Sequence, residues 1–374
     1  MKILLVTGIY PPEIGGIATV AERAAAELLD AGFQISVIAY GAQDQTDIQN
    51  GVPVQRIGRN RFIVYRFMLY AWALSRSLKK GDTIIVLDAV SAGLPARLVC
   101  GIRGNSMVMR LGGERYWERA IEKGDVWCTL REFWRSPKYK WRIFFAKRYY
   151  SWLFSPVKNL VVVSSLLKEV YRPLLKNSTD ITIIENRYSR QVDTKHPSDR
   201  GATSIFTGLF VGRLTRVKNV FLLKEVVVQL QKQGVSMRLM CVGDGDLKQD
   251  FQRACQEYPA IECIDSCSSE EVIRYMKKVD VLLLPSITDI YPNVVIEALS
   301  VGLPVIMTDE HGLEEGFGGI LHCSPFRAQD WVAAIKYLME KEAYQKLRQS
   351  ITIPPLDNGG FNAFLRNLEN THRE

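Results

Sequence analysis

One stretch of the sequence, residues 279–309, constrains the fold more than any other. It contains a short apolar run, Val281–Leu284, closed by Pro285, which is typical of a buried strand in a parallel sheet. From Asn293 apolar residues recur at helical spacing until a Gly-Leu-Pro sequence, after which a second apolar run, Val305–Met307, begins. The pattern predicts a strand, a helix of about ten residues and a second strand, which together form a βαβ unit.

The loop between the predicted strand and helix carries acidic chemistry. Asp289 lies in this loop, and Glu297 follows eight positions later on the helix. Loops at the carboxyl ends of parallel strands are where open α/β sheets bind ligands. A βαβ unit with an acidic residue on its helix is also ordinary structure, so this segment alone leaves a purely structural role open.

Length and composition indicate a globular chain of two domains. The sequence has 374 residues, of which 47% are hydrophobic and 24% charged, and domains average roughly 150 residues. The opening MKILLVTGIY is too short an apolar run for a secretory signal and is better interpreted as a first strand. The most apolar candidate for a membrane span, Phe62–Leu78, is interrupted by Arg66 and Arg76, so we predict no spanning helix.

Cysteine usage favours a reducing compartment. The seven cysteines are irregularly spaced and odd in number, which argues against a disulfide framework and against a paired metal-binding pattern. We therefore expect reduced cysteines in a cytoplasmic protein, with no metal and no cofactor.

The first predicted domain alternates strands with helical stretches, which indicates a doubly wound α/β fold. Its first strand is followed by Gly15 and Gly16, which let a backbone approach a phosphate or a sugar at a helix N-terminus. A tight turn explains the same pair equally well, and the spacing is not that of a dinucleotide site. Two later strands end in loops that carry Asp88 and Glu114. Both acids are candidates for polar contacts with a ligand, or solvated loop residues.

A polar stretch without helical or strand periodicity, within residues 186–203, separates the two predicted domains. We place the first domain at residues 1–187 and the second at 200–355, and expect the amphipathic segment 358–374 to pack back on the first. The second domain opens with a strand followed by Gly212, Arg213 and, further along the loop, Lys218. A Gly-Asp-Gly turn that begins at Gly243 follows the next strand.

These motifs together resemble those of the retaining nucleotide-sugar glycosyltransferases of family four. The resemblance rests on an acidic residue, seven residues and then Glu, with Pro-Asn before the helix and Gly-Leu-Pro-Val after it. It is strengthened by the segment VGRLTRVKN, by the Gly-Asp-Gly turn, and by the glycine loop after the first strand. The resemblance implies the GT-B architecture, in which two Rossmann-like doubly wound domains face each other across a cleft.

The resemblance also implies roles for individual residues. Three residues would be catalytic. Arg213 and Lys218 would stabilise the leaving diphosphate, and Asp289 would orient the donor sugar. The residues implied to bind substrate are Gly15, Gly16, Glu114, Gly212, Gly243, Asn293, Val294 and Glu297. Two departures stand out: the family usually has Glu where this chain has Asp289, and no histidine precedes His196, whereas many members have one near the sugar. Asp88 or Glu114 would then supply that polar contact, unless backbone groups alone suffice.

The predicted function is transfer of a hexosyl group from a nucleotide diphosphate sugar to an acceptor hydroxyl with retention of configuration, in glycolipid, cell-surface polysaccharide or glycan synthesis. Alternatives are a catalytically weak nucleotide-sugar binding protein of the same fold, or an epimerase. A phosphorylase would carry a cofactor-lysine motif that is not evident. A nucleic-acid binding protein would explain the basic residues, but no recognised module accompanies them.

Charge is unevenly distributed. Between residues 51 and 160 there are 21 basic and 7 acidic residues, and cations there alternate with large apolar residues in two stretches, Arg59–Lys80 and Arg131–Lys158. This composition suits the interface of an anionic bilayer. The alternative is that the aromatic residues pack in the core and the charges are a solvated face. We predict peripheral association with the inner face of the membrane and a lipid-linked or glycan acceptor.

Overall fold

The computed structural model describes residues 2–13, 16–105, 107–176, 178–185 and 205–355, together with Phe364. The chain divides into two compact units. Of the described residues, those up to Arg115, residues 138–185 and Phe364 belong to the first unit, and Tyr116–Pro137 and residues 205–355 to the second.

The fold alternates strands and helices along both units. The strands are β1 Lys2–Val6, β2 Gln34–Gly41, β3 Gln45–Gln49, β4 Val52–Gly58, β5 Thr83–Val86, β6 Met107–Leu111, β7 Val157–Val162, β8 Asp180–Ile183, β9 Phe206–Val211, β10 Met237–Val242, β11 Ile261–Ile264, β12 Val281–Leu284, β13 Val305–Thr308 and β14 Ile320–Cys323. The α-helices are α1 Gly16–Asp30, α2 Ile63–Ser77, α3 Gly93–Arg103, α4 Arg115–Glu122, α5 Leu130–Arg135, α6 Lys140–Leu153, α7 Ser165–Tyr171, α8 Phe221–Lys232, α9 Lys248–Cys255, α10 Ser269–Met276, α11 Asn293–Ser300, α12 Ala328–Met339 and α13 Lys341–Gln349.

The first unit contains an eight-stranded sheet in the order β3-β4-β2-β1-β5-β6-β7-β8. All its pairings are parallel except that of β3 with β4. The central strand β1 is apolar from Ile3 to Val6 and fully buried there, as expected for a parallel strand covered on both faces. The hairpin of β3 and β4 turns at Asn50 and Gly51, both of which have positive φ. This Asn-Gly pair is a hairpin signal that our sequence prediction had not used.

The second unit contains a six-stranded, wholly parallel sheet in the order β11-β10-β9-β12-β13-β14. The predicted βαβ unit is confirmed as β12, α11 and β13. Helix α11 buries Val295, Ile296, Ala298 and Leu299, which lie on one face at helical spacing. Helices α12 and α13 end the described part of the second unit.

The two sheets confirm the predicted class of two Rossmann-like α/β units. In each sheet the strand order reverses beside the strand that begins the unit. The chain runs outward from β1 on one side and returns to its other side as β5, and in the second unit it does the same around β9 and β12. Such a reversal opens a crevice at the carboxyl ends of the two central strands.

The segment Tyr116–Pro137, which we call the insertion, lies between β6 and α6 in sequence but groups with the second unit. The backbone N–H of Arg216 donates to the Glu122 carboxylate at 3.2 Å, and the backbone N–H of Leu130 donates to Thr288 Oγ1 at 2.9 Å. The observed first unit therefore differs from the predicted range 1–187 by these residues, because their partners lie nearly a hundred residues or more away.

The other predicted boundaries fall largely outside the described residues. This applies to the whole linker within 186–203 and to the segment 358–374 apart from Phe364. Phe364 is described and is buried in the apolar core formed by β1, β2, β4 and α1. Among the described residues, no helix has both the length and the apolar character needed to cross a bilayer.

Candidate functional site

The strand reversal in the second sheet brings two loops together. One loop follows β9 and includes Arg213 and Lys218, and the other follows β12 and includes Asp289. The backbone N–H of Ile287 donates to the carbonyl of Val217 at 2.8 Å, which ties one loop to the other. The sequence-predicted catalytic residues therefore lie on adjoining loops at the end of the sheet where α/β proteins bind ligands.

Lys218 and Asp289 form a direct ion pair. Lys218 Nζ lies 2.5 Å from Asp289 Oδ2, and the two side chains are 21% and 7% exposed. Ser286 Oγ donates to the same carboxylate oxygen at 2.9 Å. The ammonium group of Lys218 is therefore held by a buried carboxylate that also binds a second side chain, which is the geometry a partly buried charge requires.

The turn that carries Lys218 is held from the other side by the next residue. Asn219 has φ +52 and is buried, and the left-handed region is one that Asn adopts more readily than most residues. Its side-chain amide donates to the carbonyl of Pro325 at 2.7 Å. Asn219 thereby fixes the turn that presents Lys218 to Asp289.

The glycine turns after β9 and β10 lie in direct contact. Gly243 has φ +152, and a Cβ there would come within 2.0 Å of the Gly212 carbonyl oxygen. The backbone N–H of Leu214 donates to the carbonyl of Asp244 at 2.9 Å. Arg213, between these contacts, has an exposed side chain. Only glycine fits at Gly243. The Arg213 side chain remains accessible beside this contact.

Helix α11 presents the remaining predicted donor residues. Asn293 at its first position is exposed, and Val294 and Glu297 are partly buried. Burial raises the pKa of Glu297 above its ordinary value, since removal from water disfavours the charged form. The first N–H groups of a helix lack acceptors one turn earlier within it, and here the N–H groups of Asn293 and Val295 donate instead to the carbonyls of Tyr291 and Pro292, at 3.1 and 3.0 Å. The Glu297 carboxyl group lies one turn further on.

A segment after β13 supports Asp289, and sequence analysis missed it. The backbone N–H of Asp289 donates to the carbonyl of Glu310, and that of Gly312 donates to the carbonyl of Asp289, both at 2.9 Å. His311 lies between these contacts and stacks on His322, with ring centroids 4.8 Å apart. The available signal was position: Glu310 and His311 follow the carboxyl end of a parallel strand, as Asp289 does.

His311 is neutral near physiological pH. The pKa of His311 is lowered to about 4, chiefly by burial, with the nearby His322 and Arg131 acting in the same direction and Asp289 in the opposite one. Its Nδ1 accepts a hydrogen bond from the backbone N–H of Leu313 at 3.2 Å. His311 therefore supports the loop as an uncharged acceptor.

The site residues predicted in the first unit are Gly15, Gly16 and Glu114. Gly15 lies outside the described residues, and Gly16 begins α1 with no heavy atom within 4 Å of where its Cβ would be. Glu114 is fully buried and accepts a hydrogen bond from the Tyr150 hydroxyl, so it is not the solvated loop residue that the sequence allowed. Buried in this way, Glu114 is also poorly placed for substrate.

Asp88 lies at the strand reversal of the first sheet, directly after β5. Its Oδ1 accepts from the backbone N–H of Val90 and Ala92 and from Ser91 Oγ, at 2.8 to 3.1 Å. Its Oδ2 is buried and has no hydrogen-bond partner among the described residues. A buried carboxylate oxygen without a donor is uncommon and calls for an explanation.

Comparison with solved structures defines the class of fold. The chain aligns with the sucrose-phosphate synthase of Thermosynechococcus elongatus with a TM-score of 0.71 and 16% identity, over 99% of this chain and 96% of that one. At this level of identity the likeness concerns the fold alone. The chain has the GT-B fold of glycosyltransferases.

Sequence comparison finds a family match within the second unit. Residues 206–341 match the family described as glycosyl transferases group 1. The amylovoran biosynthesis glycosyltransferase AmsK of Erwinia amylovora is 31% identical over 116 residues, 29% of this chain and 28% of the relative. An uncharacterized glycosyltransferase of Methanocaldococcus jannaschii is 23% identical over 331 residues, 86% of this chain and 84% of the relative. Some curated relatives are matched over only part of their length. In three of them, the alignment covers about a third of the relative.

The contact at Gly243 leads to a stability prediction. Gly243→Ala should lower the free energy of unfolding of the second unit by about 3 kcal/mol, because the methyl group collides with the Gly212 carbonyl and the φ angle disfavours a side chain. Gly234→Ala is the matched control, since Gly234 also has positive φ but open space around its Cβ position, and it should cost only about 1 kcal/mol. Urea unfolding measures both, and equal losses would contradict the close-contact argument.

Proposed function

We propose that this protein is a retaining glycosyltransferase that moves a hexosyl group from a nucleotide diphosphate donor to an acceptor hydroxyl in glycolipid, cell-surface polysaccharide or glycan synthesis. The observation that carries the proposal is the Lys218–Asp289 pair, which lies at the strand reversal within the residues that match the group 1 family. The name of the Erwinia relative, a polysaccharide biosynthesis glycosyltransferase, favours a glycan product.

In the proposed reaction, charge builds up on the leaving diphosphate. The bond between the anomeric carbon and the phosphate oxygen breaks, the acceptor oxygen bonds to that carbon on the same face, and the released phosphate oxygen takes the acceptor proton. Preorganised cations stabilise such developing charge strongly in a partly dry site. Arg213 is exposed and accessible, and Lys218 has three ammonium donors, of which one reaches Asp289.

We assign the remaining donor contacts to residues of the second unit as part of the same proposal. Asp289, which is bonded to Lys218 and Ser286, would orient the sugar through its carboxylate. Asn293 and Val294, at the start of α11, would orient it through backbone donors. Glu297 would accept hydrogen bonds from the ribose hydroxyls. Gly212 and Gly243, which lack side chains, would let the backbone approach the nucleotide.

Replacement of Arg213 tests the diphosphate role. Arg213→Ala should lower the rate of nucleoside diphosphate release from the preferred donor by roughly two to three orders of magnitude, as loss of one charge-stabilising group commonly does. Because the side chain is exposed, folding should be unaffected. The preferred donor is found first, by incubation of the wild-type protein with a panel of nucleotide sugars.

Arg216→Ala is the matched control for this experiment. Arg216 is an exposed arginine on the same loop, and its loss should change the rate only a few-fold. A normal rate in Arg213→Ala would exclude the proposed role. Donor binding without release by the wild-type protein would favour a nucleotide-sugar binding protein instead.

On the first unit, Asp88 is the better candidate for the polar contact that a histidine often supplies. Glu114 is bonded to Tyr150 and fully buried, whereas the Asp88 residue is only partly buried and its Oδ2 has no hydrogen-bond partner among the described residues. A substrate hydroxyl would satisfy this oxygen. We therefore propose that Asp88, rather than Glu114, contacts a sugar hydroxyl, and we keep the sequence-based proposal that Gly15 and Gly16 bind substrate through their backbone.

The two acids can be separated by isosteric substitution. Asp88→Asn should lower transfer to the acceptor at least tenfold with little loss of stability, because the Oδ1 acceptor is retained and only the free oxygen changes. Glu114→Gln should instead alter stability while transfer by the folded protein is kept. Transfer rates and thermal unfolding of both variants measure this, and the reverse pattern would restore Glu114 as the substrate contact.

We further propose that the enzyme works as a peripheral protein at the inner, cytoplasmic face of the membrane, on a lipid-linked or glycan acceptor. Helix α6 supports this because both of its faces are apolar. Ile143, Ala146, Tyr150 and Leu153 are buried, while Trp141, Phe144 and Phe145, on the opposite side at helical spacing, are 53% to 68% exposed. Cations flank this aromatic stripe: Lys140, Arg142, Lys147 and Arg148.

Helix α2 has a similar outer stripe. Tyr65, Met68 and Trp72 recur at helical spacing and are 54% to 63% exposed. Arg76 lies over the Trp72 ring at 4.8 Å from its centroid. Helix α3 packs against both α2 and α6 and exposes Leu98 and Ile102. The alternative that these aromatic residues fill the core is wrong for the stripes, although Tyr70 of the same stretch is buried.

A flotation assay tests the membrane proposal. The protein should float with vesicles that contain anionic lipid, and binding should weaken as salt is raised, since each Lys or Arg near such a surface contributes about 1 kcal/mol. The double variant Phe144→Ser/Phe145→Ser should lower binding at least tenfold. Ile48→Ser/Tyr337→Ser, which removes two exposed apolar residues elsewhere, is the control. Equal binding to neutral and anionic vesicles, or to neither, would refute the proposal.

A further inference from the structure

The insertion contacts the loop that carries Asp289. Helix α5 begins after Thr129, whose side chain and backbone form a reciprocal capping pair with Glu132. The N–H of Leu130, in the first turn of α5, has no acceptor within the helix, and it donates to Thr288 Oγ1 in a buried hydrogen bond of 2.9 Å. Thr288 immediately precedes Asp289, so α5 fixes the chain one residue before the proposed sugar-orienting carboxylate.

The next residue of α5 reaches the other support of Asp289. The guanidinium of Arg131 donates to Glu310 Oε2 at 2.9 Å, and its backbone N–H donates to Glu310 Oε1 at 3.3 Å. Both carboxylate oxygens of Glu310 are therefore bound by one residue. The backbone carbonyl of Glu310 accepts from the N–H of Asp289. Arg131 thus acts on Asp289 through a single intermediate residue.

The insertion also contacts the loop after β9. Glu122 accepts from the backbone N–H of Arg216 at 3.2 Å, three residues from Arg213. Trp127 lies against Phe326 with ring centroids 6.2 Å apart, and Phe326 follows the Pro325 carbonyl that binds Asn219. The insertion therefore contacts both loops of the strand reversal and the segment that fixes the Lys218 turn.

We propose that the insertion is a positioning clamp for the donor loops, with Arg131 as the positioning residue that sets the geometry of Asp289 through Glu310. The assignment of Asp289 to the donor sugar rests on the proposed function, but the clamp itself is a property of the loop. The described hydrogen bonds of Arg131 go to Glu310, which is not itself a proposed substrate contact. It acts on the orientation of the sugar and leaves the nucleotide contacts at Gly243 and Glu297 unchanged.

This placement predicts a split between catalytic rate and nucleotide affinity. Arg131→Ala should lower kcat for transfer roughly 10- to 100-fold, since small displacements of an orienting group have effects of this size. The Kd for the free nucleoside diphosphate should stay within about twofold, because its contacts lie on other segments. Arg131→Lys, which can still pair with Glu310 Oε2, should recover part of the rate. Lys123→Ala, an exposed cation of the insertion, is the control.

Hydrogen exchange provides a readout that does not depend on activity. In Arg131→Ala, amide exchange in residues 286–293 should rise about tenfold, whereas exchange in the β9 strand should not change. Glu310→Gln, which keeps the shape of the side chain and weakens the pair, should give a smaller rise in the same residues. These measurements are made on the full chain at a temperature where all variants remain folded.

The possible outcomes separate the two proposals. Unchanged exchange in residues 286–293, an unchanged kcat, or equal losses of kcat and nucleotide affinity would overturn the clamp. Increased exchange confined to residues 286–293, with selective loss of kcat and rescue by lysine, supports it. Absence of nucleoside diphosphate release by the wild-type protein would refute the proposed function, while the exchange comparison would still decide whether the clamp exists.

Discussion

The ion pair between Lys218 and Asp289 links the loops after the two central strands of the second sheet. Bringing two charges into a partly buried site costs desolvation energy, which their attraction offsets only with good geometry and further hydrogen bonds. Here the pair is short and Ser286 adds a third group. Its main value is therefore geometric rather than stabilising: it fixes one cation and one carboxylate at the place where the sheet opens.

The rest of the second unit serves this constraint from several sides. Asn219 in its left-handed turn sets the direction from which Lys218 approaches, and the backbone of Glu310 and Gly312 holds both sides of Asp289. The glycine at 243 lets the turn after β10 press against Gly212. Each contact uses backbone groups or a short side chain, and short side chains have less rotamer freedom to lose on folding than long ones. Rigid support of this kind leaves Arg213 and the start of α11 accessible.

Local patterns in the sequence predicted much of this architecture. The strands β1, β12 and β13 and the helix starting at Asn293 were predicted at their observed positions or nearly so, because buried parallel strands and their flanking turns have strong short-range signals. The loops that carry Arg213, Lys218 and Asp289 follow from the same signals.

Long-range pairing was not predictable in this way. No pattern near Glu114 in the sequence indicates that it bonds to Tyr150, thirty-six residues later. Lys218 and Asp289 are likewise seventy-one residues apart. The grouping of the insertion with the second unit depends on partners still further away, such as Thr288 for Leu130. Periodicity reports which face of an element is apolar, but it carries no information on which distant residue covers that face.

The insertion also determines how this protein could be divided. A fragment that starts at the second sheet would include every strand of that sheet yet lack residues 116–137. The backbone N–H of Arg216, the hydroxyl of Thr288 and the carboxylate of Glu310 would then have only water in place of Glu122, Leu130 and Arg131. The second unit is thus encoded in two separated parts of the chain. Exchange of whole C-terminal halves between related proteins would mix an insertion from one parent with the loops after β9, β12 and β13 from the other, and the two would have to match at these contacts.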